Sequence, residues 1–381
     1  MASRQCLVAA IFAMLIPSLA AAQTDPTIGK DILVNGKLPQ FKFSMNAMKP
    51  VIYQGGTAKQ VTAAQFPLSK SISGVYMTLE PGGLRELHWH ANAAEWAYVF
   101  EGNLRITVVD YEQRTQIADL HPGGVWYFPR GHGHSIEGLG PGTAKFLLVF
   151  DNGYFSEFST FSITDWIAHT PKDIVARNLG LTAEQVDRFP KKEVYIASGP
   201  VPPPLAQAES LGGLQHALPL SHIFNLGEEA PIAEGTNGSL QLVSEKQFPI
   251  STTITGAFMR IEPGGIRELH WHPNADEWQF VSKGHMELTV FASNALGTKT
   301  ILGPGDIGFV PQGFGHALAN VGNEPVEAIL AFNTGEYQEI SLSTFIKTAP
   351  RYLLQTNFGL PKDLVELLPH NNQFFIGGLP H

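Results

Sequence analysis

The chain has 381 residues, 44% of them hydrophobic and 15% charged, with a formal net charge of −9. Its length accommodates two or three domains, each large enough to bury a core. The acidic balance and the lack of any basic run argue against a nucleic-acid or anionic-membrane partner, because phosphate binding draws on clustered Lys and Arg.

In chain order, residues 1–22 (MASRQCLVAAIFAMLIPSLAAA) read as a cleaved secretory signal. Arg4 provides the positive start, an apolar stretch follows, and Ala20-Ala21-Ala22 forms a small-residue cleavage site. The expected compartment is therefore secreted or periplasmic. The apolar stretch is short for a membrane span, and no membrane partner is expected. The only cysteine, Cys6, lies in this segment, so the mature chain would carry no disulfide, thiolate nucleophile or Cys-ligated metal.

Beyond it the chain is a duplication. "ISGVYMTLEPGGLRELHWHANAAEW" (72–96) aligns with "ITGAFMRIEPGGIRELHWHPNADEW" (254–278), at an offset of 182 that persists to His134 and His316. The expected organisation is a first domain at 41–190, a linker at 191–222 around the Pro-rich "SGPVPPPLAQAESLGG", and a second domain at 223–368. Within each copy, short runs punctuated by Gly and Pro predict strands, giving an all-β fold of two tandem jelly-roll β-barrels. "AYVFEGNLRITVVD" (97–110) reads as a hairpin about Glu101-Gly102. "FLLVF" (146–150) and "EAILAF" (327–332) read as buried strands. "TPKDIVARNLGLTAEQVDRF" (170–189) and "APRYLLQTNFGLPKDLVELL" (349–368) have helical spacing, so each barrel should end in a short helical arm.

In "LHWH", strand alternation turns His88 and His90 to one side and Trp89 to the other. Glu95 and His134 complete a mixed nitrogen and oxygen set, which suits Mn, Fe, Co, Ni or Zn better than Ca or Mg. His270, His272, Glu277 and His316 repeat it at the same offset. Eight such polar residues would be costly to bury in two β cores without a ligand. His132 corresponds to Phe314 and reads as a pocket wall. His121 and His285 have no counterparts and read as surface groups.

The spacing Gly82-x5-His88-x-His90-x4-Glu95-x6-Gly102, followed by Gly123-x5-Pro129-x-Gly131-x2-His134, resembles the two cupin motifs. The second copy fits both and ends in Asn320, where the first has Gly138. The chain therefore resembles a bicupin, and "RELHWH", "EWAYVFEG" and "DNGYFSEFSTFSITDWIAHTP" are similar to the bicupin oxalate decarboxylases. The resemblance implies two manganese ions per chain, dioxygen as co-catalyst, a hexamer, and conversion of oxalate to formate and carbon dioxide.

On that resemblance, Arg85 and Arg267 face the bound dicarboxylate, where a guanidinium fork suits anionic oxygens. Arg85 has the wrong strand parity for this, so a bend at Gly82-Gly83 is expected to turn it inward; the competing role is an ion pair with Glu86. Glu86 and Glu268 read as structural. Glu157, in the loop "SEFST" (156–160), is the candidate proton carrier. Phe158 departs from the family's usual Asn, which keeps open an oxalate oxidase releasing peroxide. The residues also admit a storage bicupin without catalysis and a dioxygenase acting on a larger substrate. Glu339 stands opposite Glu157 in "QEISL", and Leu330 replaces a glutamate common in the family. Catalysis is accordingly expected in the first site, with the second structural or an electron-transfer partner. Trp96 and Trp278 read as packing residues rather than redox mediators.

Overall fold

The computed structural model describes residues 33, 37–211, 219–293 and 295–377; the signal segment expected at 1–22 lies outside them. Both repeats lie in one compact unit, Gln40–His381. Each forms an antiparallel seven-stranded sheet and a six-stranded one. In the first repeat, side chains from both sheets meet in one core that includes Val99, Ile106, Phe146 and Leu148. The expected pair of jelly-roll barrels is the fold. No helix among the described residues is long and apolar enough to cross a membrane.

The apolar run in Ala144–Phe150 is explained by burial on both faces. Phe146, Leu148 and Phe150 point into the first barrel. Leu147 and Val149 join a second cluster with Ile329 and Ala331, the latter pair at the same offset of 182 (329 − 147). The two seven-stranded sheets thus pack on each other through equivalent residues. Trp96 and Trp278 lie in this interface, at 0% and 1% exposure. Trp96 covers Gly256 and Trp278 covers Gly74, so the packing reading of both tryptophans holds.

The repeats also exchange edge strands. Lys42–Ser44 pairs with Asp306–Val310 of the second barrel, and Ile223–Asn225 pairs with Gly124–Phe128 of the first. Inside the stretch expected as a linker, Ile196–Ser198 pairs with Gly83–Trp89. Leu205–Leu211 is a helix that the Pro-rich composition did not suggest. It follows Pro203, whose carbonyl accepts from Arg105 Nη1. Phe375–Ile376 lies beyond 368 and pairs with the second barrel.

The expected hairpin at 97–110 is not one. Glu95–Glu101 pairs with Gly124–Phe128 and Ala144–Phe150, whereas Leu104–Val109 pairs with Thr115–Leu120 and Gly133–Gly138. The chain crosses between sheets at Gly102, whose φ of 74° suits a residue without Cβ. Alternation is the same for a hairpin and a barrel corner, so it does not distinguish them.

Both helical arms form. The first comprises Ile163–His169, Lys172–Leu179 and Ala183–Val186, the last opened by a capping box between Thr182 and Gln185. The second comprises Leu342–Thr348, Arg351–Phe358 and Lys362–Val365.

Candidate active site and second metal centre

His88 lies on Gly83–Trp89, directly across from His134 on Gly133–Gly138. His90 follows on the same face, while Trp89 turns outward to stack on Phe161 at 5.6 Å. Glu95 opens the strand Glu95–Glu101 of the facing sheet. The four residues are buried and bring one ligand atom each to within 4.8 Å of one another. His90 Nε2 is 2.9 Å and His134 Nε2 3.5 Å from Glu95 Oε2.

The donor set fits a metal cation. His88 Nδ1 meets the Glu86 carbonyl at 2.6 Å, and His134 Nδ1 meets the His132 carbonyl at 2.9 Å. Those bonds leave the lone pairs on Nε2. Both Nε2 atoms are buried without a hydrogen-bond partner, a costly state that a bound cation relieves. Burial, and then the Arg85 charge, hold His88 well below the usual imidazole range; burial also lowers His134. Burial alone would raise the Glu95 carboxyl. The His134 and His90 imidazoles beside it outweigh burial and keep Glu95 ionised far below the ordinary carboxylate range. The resulting set is three imidazoles and one carboxylate.

Arg85 does face the site, but by a different device from the one expected. His88 pairs with His134 and Arg85 with Ile136, so three residues on one strand match two on the other. This β-bulge, rather than a bend at Gly82-Gly83, puts Arg85 and His88 on one face despite their odd spacing. Nor does Arg85 pair with Glu86. The Glu86 carboxylate accepts from Thr164 and from the Tyr195 amide, tying the arm and the segment after it to the barrel. Glu268 accepts from Ser343 and the Phe374 amide in the same way.

The partner of Arg85 is Glu157. Arg85 Nε and Nη2 lie 2.8 and 2.7 Å from Glu157 Oε1, and both side chains are fully buried. Burial would lower the Arg85 pKa; the Glu157 charge outweighs it and the guanidinium stays charged. Arg85 Nη2 also donates to Thr160 Oγ1 at 3.2 Å, and its guanidinium stacks 3.9 Å above the Tyr195 ring. The Glu157 carboxylate borders the ligand cluster, with Oε1 3.8 Å from His88 Nε2 and Oε2 3.7 Å from His90 Nδ1. Oε2 is buried with no hydrogen-bond partner. Phe158 packs against Tyr195, with ring centroids 5.6 Å apart and the planes tilted.

In the second barrel, His270, His272, Glu277 and His316 form the same buried set. All three Nδ1 atoms meet backbone carbonyls, those of Glu268, Gln338 and Phe314. The lid pair recurs too, as Arg267 with Glu339. It differs in one partner: Tyr337 donates to Glu339, whereas Phe155 at the equivalent position packs on His90 at 4.8 Å. Burial, and then Glu339, raise Tyr337 well above the ordinary phenol value, so it remains a donor. Leu330 is buried in its sheet.

Several supporting residues escape a reading of the sequence. Trp126 Nε1 donates to Glu95 Oε1 at 2.7 Å, and Gln279 Nε2 donates to Glu277 Oε1 at 2.7 Å. They occupy different repeat positions. Trp126 matches Gly308, and Ala97 matches Gln279. A Cβ on Gly308 would stand 2.4 Å from Gln279 Oε1, so each barrel holds its glutamate with one large donor beside one small residue. That reciprocal swap was the available signal. His132 faces His222, with Nδ1 3.3 Å from Nε2. His222 is buried, and burial pushes its pKa down to about 4. His121 and His285 are exposed, as expected.

Known proteins agree with this fold. The cupin family model matches residues 43–187 and 224–366. Oxalate decarboxylase OxdC of Bacillus subtilis (strain 168) is 40% identical over 334 residues, covering 88% of this chain and 86% of its own. An oxalate decarboxylase of Arthroderma benhamiae is 30% identical over 368 residues, covering 90% and 85%. The Bacillus subtilis enzyme as solved in work on its Mn(II) centres superposes with a TM-score of 0.85 at 39% identity, covering 90% of both chains. The chain belongs to the cupin family, as a two-domain member of the oxalate decarboxylase group.

Proposed function

We propose that this protein is a manganese- and dioxygen-dependent oxalate decarboxylase acting in its first barrel. The observation that carries the reading is the fully buried Arg85–Glu157 pair beside His88 and His90, with Glu157 Oε2 unpartnered. A bound manganese ion would supply Lewis acidity and one-electron redox capacity at His88, His90, Glu95 and His134. The Arg85 fork suits one carboxylate of oxalate, and its charge neutralises the anion as Glu157 moves off it. Glu157 takes the proton of the hydrogen-oxalate anion and returns it to the carbon that becomes formate. The balance is one C–C bond broken and one C–H bond formed, with formate and carbon dioxide as products. Phe150 and Phe155 pack on His90 and exclude water from it.

The intact ligands of both barrels argue against a storage protein. Phe158 packs on Tyr195, which supports a lid that stays seated without the family's usual Asn. The second centre is read as structural or electron-transferring, because Tyr337 holds its lid glutamate. Exposed apolar side chains on the arms, among them Trp166, Tyr352 and Leu367, support assembly into a hexamer. Secretion through residues 1–22 completes the reading.

The test is incubation of manganese-loaded protein with oxalate and air at mildly acidic pH. Formate without stoichiometric peroxide is expected. Peroxide with two equivalents of carbon dioxide would replace this reading with an oxidase, and no turnover at full metal occupancy would remove both.

A further inference from the structure

Gln60 lies on Gly56–Val61, away from both ligand sets in sequence, and no motif touches it. Its side-chain amide meets the lid directly. Nε2 donates to Ser156 Oγ at 2.9 Å, and Oε1 accepts from the Glu157 backbone N–H at 3.1 Å. The Ser156 hydroxyl also lies 3.2 Å from Oε1. One amide therefore serves a donor and an acceptor role toward two successive lid residues, the second of which carries the candidate proton carrier.

The second barrel lacks this contact. The position 182 residues on from Gln60 is Leu242, buried and apolar. There the lid is held by the site itself, through His272 Nδ1 on the Gln338 carbonyl and Tyr337 on Glu339. In the first barrel the corresponding His90 Nδ1 has no hydrogen-bond partner. Beyond the Arg–Glu pair that both lids share, the first lid is thus fastened to the barrel wall and the second to a metal ligand. Lifting the second lid strips an orienting bond from His272, whereas lifting the first leaves every imidazole bond to backbone intact.

We infer that Gln60 is the latch of the first lid, a positioning residue that sets how much of the time Glu157 is held over the site. Oxalate reaches Arg85 only when Glu157 leaves it, so the lid must open and reclose in each turnover. Reclosure ahead of the proton return keeps the two fates of oxalate apart. Protonation of carbon gives formate, whereas loss of two electrons to dioxygen gives two carbon dioxide and peroxide. A weakened latch shifts products toward the second fate. This consequence rests on the proposed decarboxylase reading; the latch does not.

The test is hydrogen exchange, followed by mass spectrometry, on the metal-loaded full chain. The variant Gln60→Leu installs the second barrel's residue, and Gln60→Ala carries the same expectation should the first not fold. The Glu157 amide and its lid neighbours should exchange about tenfold faster, with exchange in Ser73–Leu79 and the melting temperature unchanged. Gln60→Glu keeps an acceptor for the Glu157 amide and should retain most of the protection. Unchanged lid exchange in Gln60→Leu or Gln60→Ala overturns the latch, as does equally fast exchange in Gln60→Glu. With oxalate and air, the peroxide-to-formate ratio should rise in Gln60→Leu. An unchanged ratio alongside faster exchange removes the partitioning role. If the unaltered protein does not consume oxalate, the functional reading fails while the exchange result still judges the latch.

Discussion

The indole of Trp96 lies so close over Gly256 that a Cβ there would stand 2.1 Å from the ring, and Trp278 lies over Gly74 at 2.6 Å in the reciprocal contact. These two contacts join the barrels through residues that the duplication itself pairs. Gly256→Ala must displace a tryptophan that is wholly buried, and overpacking of this kind costs about 1–3 kcal/mol. Denaturant unfolding of the variant should show that loss with both metal sites still filled. Wild-type stability would mean that the interface relaxes around the methyl group.

Trp126 predicts a one-sided metal defect. Trp126→Phe removes the indole bond to Glu95 and leaves Gln279 holding Glu277. Loss of an outer hydrogen bond to a ligand typically weakens metal binding by about 10–100-fold. Chelator competition should then resolve a weakened class of one manganese per chain beside an unaffected class. Two equal classes would remove the role assigned to the indole.

Glu157→Ala should lower formate production by about 10²–10⁴-fold, the usual reach of general acid–base catalysis, with manganese content near normal. It also leaves Arg85 buried without its counter-ion, a state that costs about 3–5 kcal/mol in well-buried pairs. Thermal unfolding should therefore be earlier in the variant, and oxalate should restore more stability to it than to the wild type. Formate at the full rate would displace Glu157 as the proton carrier.

The imidazoles predict how the metal-free protein responds to pH. His88, His134 and His270 are held below the ordinary value of 6.5, first of all by burial, and His222 is pushed to about 4. In the unfolded chain they protonate near 6.5, so below that pH the unfolded state binds more protons than the folded one. Their contribution to stability is fully present above 6.5 and is lost as pH falls through the depressed values. The melting temperature of chelator-treated protein should drop from pH 7.5 to pH 5. A flat profile would contradict the burial of these groups as neutral imidazoles.

Much of this site is legible before folding. His88, His90, Glu95 and His134 are recognisable because side-chain alternation is local, and the exact repetition at 270, 272, 277 and 316 makes an accidental match untenable. Arg85 is legible as a residue but not as a direction. Its inward turn depends on a bulge, which exists only where two strands pair out of step. The crossing at Gly102 is hidden for a related reason, since alternation reports which face is buried and not which strand lies alongside.

The sequence by itself determined the two ligand sets, because these depend on residue type and local period; the guanidinium and lid glutamate of each barrel followed only from the family resemblance. Only the tertiary structure decided what those groups meet. Strand pairing placed Arg85 against Glu157, and barrel closure gave Glu95 the indole of Trp126. Chain crossing brought Gln60 to Ser156 and Glu157 across 96 and 97 positions. Contacts at such separations are settled by the packing of whole sheets, which no short window of residues encodes.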